Sequence, residues 1–266
     1  MREYQDIIFE VDGHLATITL NRPDAYNAIS NQMRDELRDV IDYLHQDEAI
    51  RIVVLTGAGK AFCAGGDIKL MKQRIEEGVP YRERLNIYRR DVAGMVKKIK
   101  SIKQLTIAKI NGAAYGAGCS IAMLCDIRVA APEAKFGLPF GRRGLVPDWG
   151  ALYFLPRLVG ASQAIALSST GRGFDAQKAL SIGLVNEVAP TGELDAFLKS
   201  YCEDILLSSP MSLFEGKAAI YAAMENELDT ALEREAQLQS QCFCSDDHRE
   251  GVDCFLEKRP PVFTGK

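Results

Sequence analysis

Two stretches rich in glycine and alanine hold the chemistry that this sequence offers most plainly. The first is Ala61-Phe-Cys-Ala-Gly-Gly-Asp-Ile-Lys69. It follows an apolar segment at 52–55 and runs into a helix expected to open near Asp67. Glycine at 65 and 66 lets a ligand approach the backbone closely. A helix start leaves N–H groups unpaired and carries partial positive charge, so a developing oxyanion is stabilised there. The second is Asn111-Gly-Ala-Ala-Tyr-Gly-Ala-Gly-Cys-Ser120, which leads into the apolar helix expected at Ile121–Leu124. Each loop alone is also compatible with a plain strand-to-helix turn. Taken together, two such loops on a parallel sheet can each give one N–H to a single oxygen. Neither is a G-x-G-x-x-G, and neither ends in the Lys-Ser/Thr of a phosphate loop, which argues against nucleotide triphosphates.

One carboxylate lies in a setting that could tune it. Asp148 stands in Gly144-Leu-Val-Pro-Asp-Trp-Gly150, between Pro147 and the only tryptophan, Trp149. Apolar neighbours raise a carboxyl pKa, while a helix N-terminus opposes that. A plain N-cap aspartate is the competing reading. Arg142 and Arg143 precede this segment; they could meet a ligand charge, but a surface or ion-pair role is the favoured reading. His14, His45 and His248 fall outside both loops, so a histidine base is not expected. The run Val96-Lys-Lys-Ile-Lys-Ser-Ile-Lys103 reads as a solvated basic helix face.

The elements that must position these groups follow from periodicity. Ile7–Val11 and Leu15–Leu20 read as strands joined through Asp12-Gly13, a hairpin signal. Ser30 is suited to cap a helix over 31–46, with Met33, Leu37, Ile41 and Leu44 at helical spacing. Buried strands are expected at 52–55, 105–110 and 127–131. Their alternation with helices predicts βαβ crossovers, an α/β fold and a mainly parallel sheet. Beyond Gly150 the pattern is helical at 176–182, 194–207, 211–243 and 246–257, with strand character only at 184–188. The Ser208-Ser209-Pro210 break divides an α/β core, 1–207, from a helical C-terminal piece, 208–266.

Composition narrows the function classes. The chain has 266 residues, 47% of them hydrophobic, and a formal net charge of -4. That balance points away from nucleic acid and anionic membranes. No apolar run approaches the ~20 residues needed to span a bilayer. The polar N-terminus does not read as a secretory signal, nor Thr264-Gly265-Lys266 as a peroxisomal address. Seven scattered cysteines, an odd number, read as reduced thiols in a cytoplasmic protein, and their spacing is not that of a zinc site.

Leu20-Asn-Arg-Pro23, Asn27-Ala28, the two loops, Cys125-Asp126, Phe136-Gly137, Leu155-Pro-Arg-Leu-Val-Gly160, Ala176-Gln-Lys-Ala-Leu180 and Gly183-Leu-Val185 occur in this order along the chain. In these segments the sequence resembles the enoyl-CoA hydratase/isomerase (crotonase) superfamily over essentially its whole length. Its Gly-Leu-Val-Pro-Asp segment is most similar to the 1,2-epoxyphenylacetyl-CoA isomerase-like members. The resemblance implies a spiral of ββα units with C-terminal helices that build a homotrimer or a dimer of trimers. It implies an acyl-CoA thioester as substrate and no cofactor or metal. The oxyanion donors would be the N–H groups of Gly66 and Ala117. Coenzyme A would lie along Ala64, Gly65, Gly66, Asp67, Ile68 and Lys69, with further substrate contacts from Ala117, Phe140 and Trp149.

The resemblance departs from the hydratase pattern where a hydratase carries two glutamates, at Ser120 and Phe140. Neither residue can hold and deprotonate a water as that pair does. Asp148 sits where isomerase members carry a catalytic acid. The reading is therefore an enoyl-CoA isomerase with Asp148 as acid/base. Hydration, ring-opening isomerisation or dehalogenation on the same scaffold are the alternatives, together with a non-catalytic binding homologue. A lysine comb on the first long helix marks RNA-binding relatives. Here Asn31–Asp47 has no lysine, so RNA binding is not expected.

Overall fold

The computed structural model describes residues 3–266. Its first six strands and their helices come in a repeating order. β1 (Ile7–Asp12) and β2 (Leu15–Leu20) form an antiparallel hairpin. Gly13, at φ 57°, takes the left-handed turn position that favours glycine. α1 (Asn31–Leu44) follows, and Ser30 caps it by accepting the Met33 N–H at 2.9 Å. Met33, Leu37, Ile41 and Leu44 are buried, as their spacing predicts.

Three units then repeat one plan. β3 (Ile52–Gly57) is followed by β4 (Ala61–Cys63) and α2 (Ile68–Glu76). After α3 (Tyr81–Tyr88) and α4 (Gly94–Lys100), β5 (Leu105–Ile110) is followed by β6 (Ala113–Tyr115) and α5 (Ala117–Leu124). β7 (Ile127–Ala130) is followed by β8 (Lys135–Gly137), α6 (Ala151–Val159) and α7 (Ala161–Thr170). β9 (Phe174–Asp175), α8 (Ala176–Ser181) and β10 (Glu187–Val188) complete the strands. The first strand of each unit joins a six-stranded sheet, β1-β2-β3-β5-β7-β10, and the second a four-stranded sheet, β4-β6-β8-β9. The chain steps from one sheet to the other and returns through a helix, which is a spiral of ββα units. The three-residue strands β4, β6 and β8 are too short to give a periodic signal in the sequence.

The remaining helices are α9 (Leu194–Leu206), α10 (Pro210–Ala223), α11 (Leu228–Phe243) and α12 (Asp246–Glu257). Two compact units result. One comprises the chain to Ile102 with Thr106–Leu198, the other Lys103–Leu105 with Lys199–Lys266. The division thus falls within α9, upstream of the expected 207/208 break. Ser209 caps α10 and Pro210 opens it, so this proline begins a helix and is no linker. The helix expected over 211–243 is two helices, separated at 224–227. The basic run at 96–103 is less solvated than expected: Ile99 and Ile102 are buried, Lys98 pairs with Asp42, and Lys100 reaches Leu124 O at 3.1 Å and Asp126 at 3.4 Å. Among the described residues no helix is long and apolar enough to cross a membrane.

Candidate active site

The segment at 22–29 builds the first loop from behind. Asn27 is fully buried, and its Nδ2 donates to Ala61 O at 2.7 Å and Ala58 O at 2.9 Å. Its Oδ1 accepts the Arg22 N–H at 2.9 Å. The Ala64 N–H donates to Tyr26 O at 2.9 Å, and the Ile29 N–H to Gly65 O at 2.8 Å. Tyr26 and Asn27 both hold positive φ, at 49° and 57°. Asparagine tolerates that conformation better than most residues. Sequence reading gave Asn27 no role; its signal was only the Asn27-Ala28 of the family pattern.

The second loop meets the first backbone to backbone. A Cβ on Gly65, whose φ is 97°, would lie 2.6 Å from Tyr115 O and 3.1 Å from Ala117 N. A Cβ on Gly118 would lie 2.0 Å from Cys63 O. Only glycine fits either position. Ala117 is the first residue of α5, four residues earlier than expected, so its N–H has no intrahelical acceptor. Among the described backbone hydrogen bonds outside regular elements, neither Gly66 nor Ala117 donates.

Both residues line one cavity of about 590 Å³. Ala64, Asp67, Ile68, Lys69, Phe140, Asp148 and Trp149 line it as well. Gly65 does not reach the wall and serves the loop contact instead. Ser120 is fully buried, with its Oγ 3.2 Å from Gly116 O, and it too is off the wall. Met71, Tyr115, Arg143 and Leu145 join the lining without having been singled out as substrate contacts.

Three carboxylates face the cavity: Asp24, Asp67 and Asp148. Asp24 is exposed. Asp67 is committed elsewhere: it caps α2 by accepting the Lys69 and Leu70 N–H groups at 3.0 and 3.4 Å, and it pairs with Arg22 at 3.3 Å. Burial opposes its charge, but those donors outweigh burial and hold its carboxyl below the usual range. Asp148 has far less support, a single backbone N–H, its own. Its Oδ1 is buried with no hydrogen-bond partner, and desolvation pushes its pKa up to about 6. The N-cap reading does not hold, because Gly150 caps α6 and only the backbone carbonyl of Asp148 takes part, accepting from Ala151 N at 3.0 Å. Trp149 holds a positive φ of 52° and is 4% exposed. A bulky residue in that region marks strain, on the order of 1–3 kcal/mol. The Tyr88 phenol is raised by burial and by the nearby Asp148 charge, a neighbour the sequence did not signal.

The raised pKa of Asp148 has a sign for stability. The folded chain holds this proton more tightly than the unfolded chain. The associated stability is complete below the ordinary aspartate range and is lost as pH rises to about 6. At neutral pH the site therefore holds a destabilised carboxylate. Other groups fall away. Burial pushes the Cys63 thiol up to about 12, so it is no thiolate nucleophile. None of the three histidines lines the cavity.

A ββα spiral with a cavity between two helix-opening loops is the architecture of the crotonase class. The enoyl-CoA hydratase/isomerase family model matches residues 10–266, and the chain belongs to that family. It is 37% identical over 259 residues to a short-chain-enoyl-CoA hydratase of Clostridium acetobutylicum, with 97% of each chain covered. It is 34% identical over 260 residues to the 1,2-epoxyphenylacetyl-CoA isomerase of Escherichia coli, with 98% of each covered. The crystal structure of an enoyl-CoA hydratase from Bacillus anthracis superposes with a TM-score of 0.90 at 32% identity, covering 98% of this chain and 100% of that one.

The loop contact yields a paired test. In Gly65→Ala the new methyl meets backbone atoms that cannot yield, and φ is unfavourable. We expect a loss of stability of at least about 2 kcal/mol. In Gly66→Ala the nearest atom is the Met71 methyl, the end of a flexible side chain. That variant should stay within about 1 kcal/mol of wild type. Urea unfolding of both checks this; equal losses would contradict it.

Proposed function

We propose that this enzyme isomerises the double bond of an enoyl-CoA, with Asp148 as the single acid/base and the Gly66 and Ala117 N–H groups as oxyanion donors. The observation that carries the reading is the buried, unpartnered Oδ1 of Asp148 on the same cavity wall as those two residues. The carboxylate removes a proton from C2 of a 3-enoyl thioester. The C–H electron pair moves into the dienolate, and the thioester oxygen takes the charge. Two fixed N–H donors stabilise that charge without reorganising. The same carboxylic acid then returns its proton to C4, giving the 2-enoyl product. A pKa near 6 suits both steps, being low enough to be ionised at neutral pH and high enough to bind a carbon acid's proton.

Hydration is the second reading, because several relatives carry hydratase names. It needs a second group to hold the attacking water. Ser120 is buried away from the cavity and Phe140 is apolar, which supports isomerisation over hydration.

Replacing Asp148 with Asn keeps the shape and removes the base. Isomerisation should fall by ~10²–10⁴, while thioester binding persists. In wild type, kcat/KM should drop as pH falls through about 6, because protonation disables the base. A full-rate Asp148→Asn enzyme, or rapid formation of a 3-hydroxyacyl product, would overturn the assignment.

We also propose that the helical C-terminal piece assembles three copies. Leu228, Leu232 and Phe255 leave 70%, 50% and 81% of their surface exposed, which supports an apolar face awaiting a partner. Light scattering should report a trimer or a multiple of it; a stable monomer would contradict this.

A further inference from the structure

Three cations line the cavity: Arg22, Lys69 and Arg143. Arg22 is engaged, with its guanidinium 3.6 Å from Asp6 and 3.3 Å from Asp67, and its Nη1 donating to Ala28 O at 2.6 Å. Lys69 stands on the segment along which the family resemblance lays coenzyme A. Arg143 is placed differently. Its guanidinium makes one long hydrogen bond, Nη1 to Pro139 O at 3.3 Å, and no ion pair among the described residues. Nor is it the counter-ion of Asp148, whose Oδ1 has no partner.

Its position follows from local geometry. Gly141–Arg143 is a single 3₁₀ turn with Phe140 as its N-cap, and the Arg143 N–H donates to Phe140 O at 2.9 Å. Side chains three residues apart eclipse in such a turn. Arg143 and Phe140 therefore share a face. The Phe140 ring approaches the second loop, its Cζ lying 3.9 Å from where a Gly116 Cβ would be. Arg143 thus lines the cavity beside Phe140, on the loop that also carries Asp148. Phe140, Leu145 and Trp149 give the same cavity apolar lining, while the Arg143 side chain itself stays exposed at the cavity's edge. A hydrocarbon chain ending there would strip water from a charge and return nothing. A carboxylate matches the planar fork of the guanidinium with two parallel hydrogen bonds.

We propose that Arg143 binds a carboxylate at the far end of the acyl chain, so that the substrates are mono-thioesters of dicarboxylic acids. This rests on the acyl-CoA reading of the cavity and not on the acid/base role of Asp148.

Binding of saturated thioesters tests it, because none of them can react by isomerisation. Succinyl-, glutaryl- and adipyl-CoA are each compared by calorimetry with the counterpart in which an isopropyl group replaces the carboxylate. Wild type should bind at least one carboxylated member about tenfold or more tightly than its counterpart. Arg143→Leu should lose that difference and Arg143→Lys should keep part of it. The preference should persist in thioesters of pantetheine, which carry no phosphate, and in the Asp148→Asn protein. Wild type binding the hydrocarbon counterparts as tightly at every length would overturn the proposal. So would an Arg143→Leu protein that keeps the preference. Equal weakening of both members of each pair would assign Arg143 to the coenzyme A phosphates and overturn it equally. Loss of isomerase activity with the preference intact would sink the proposed reaction and leave this inference standing.

Discussion

Backbone-to-backbone contact between two loops is the constraint on which the rest of this structure depends. Gly65 lies against Tyr115 O and Ala117 N, and Gly118 against Cys63 O, at separations that leave no room for a Cβ. That closeness brings two helix openings, at Asp67 and Ala117, to one cavity. Each opening leaves N–H groups without intrahelical acceptors. The sheets serve this contact: β4 and β6 pair in parallel, so the loops that follow them emerge side by side. Asn27 then fixes the first loop by binding the Ala58 and Ala61 carbonyls. A buried amide satisfied on both sides costs little and specifies one arrangement, whereas a half-satisfied one would be expensive.

On this frame the carboxylates divide by their surroundings. Asp67 is surrounded by donors and stays charged, so it caps a helix and holds Arg22. Asp148 is desolvated by burial and has an oxygen with no partner. The left-handed conformation of Trp149 and Gly150 turns the chain before α6 begins, which keeps the Asp148 carboxylate from becoming a cap. Strain and desolvation are thus concentrated on adjacent residues, where stability is given up in exchange for reactivity.

Much of this was legible in the residues. The α1 stripe and the hairpin carry strong periodic signals, the buried strands expected at 52–55 and 105–110 are plain apolar runs, and both glycine loops declare their strand-to-helix setting. The four-stranded sheet was hidden because its strands are two or three residues long and are held by pairing rather than by pattern. The spiral was therefore expected only from family resemblance. At the site, Asp148 was found by its apolar neighbours, but its release from capping depends on two positive φ angles that no local pattern encodes. Arg143 is exposed, as its surface reading expects; that it also lines the cavity depends on the 3₁₀ turn at Gly141–Arg143, which no local pattern announces. Pro210 misled in the other direction, since a proline can end a segment or open a helix.

The central claim is that one buried carboxylate, opposite two backbone N–H groups, forms and quenches an enolate. The most direct measurement is exchange of the C2 protons of a saturated acyl-CoA with deuterium from solvent, followed by mass spectrometry or NMR. This step requires enolate formation but neither a double bond nor a bound water. The account predicts exchange with wild type and its loss in Asp148→Asn, with the thioester still bound. Exchange at wild-type rate in Asp148→Asn would show that another group is the base.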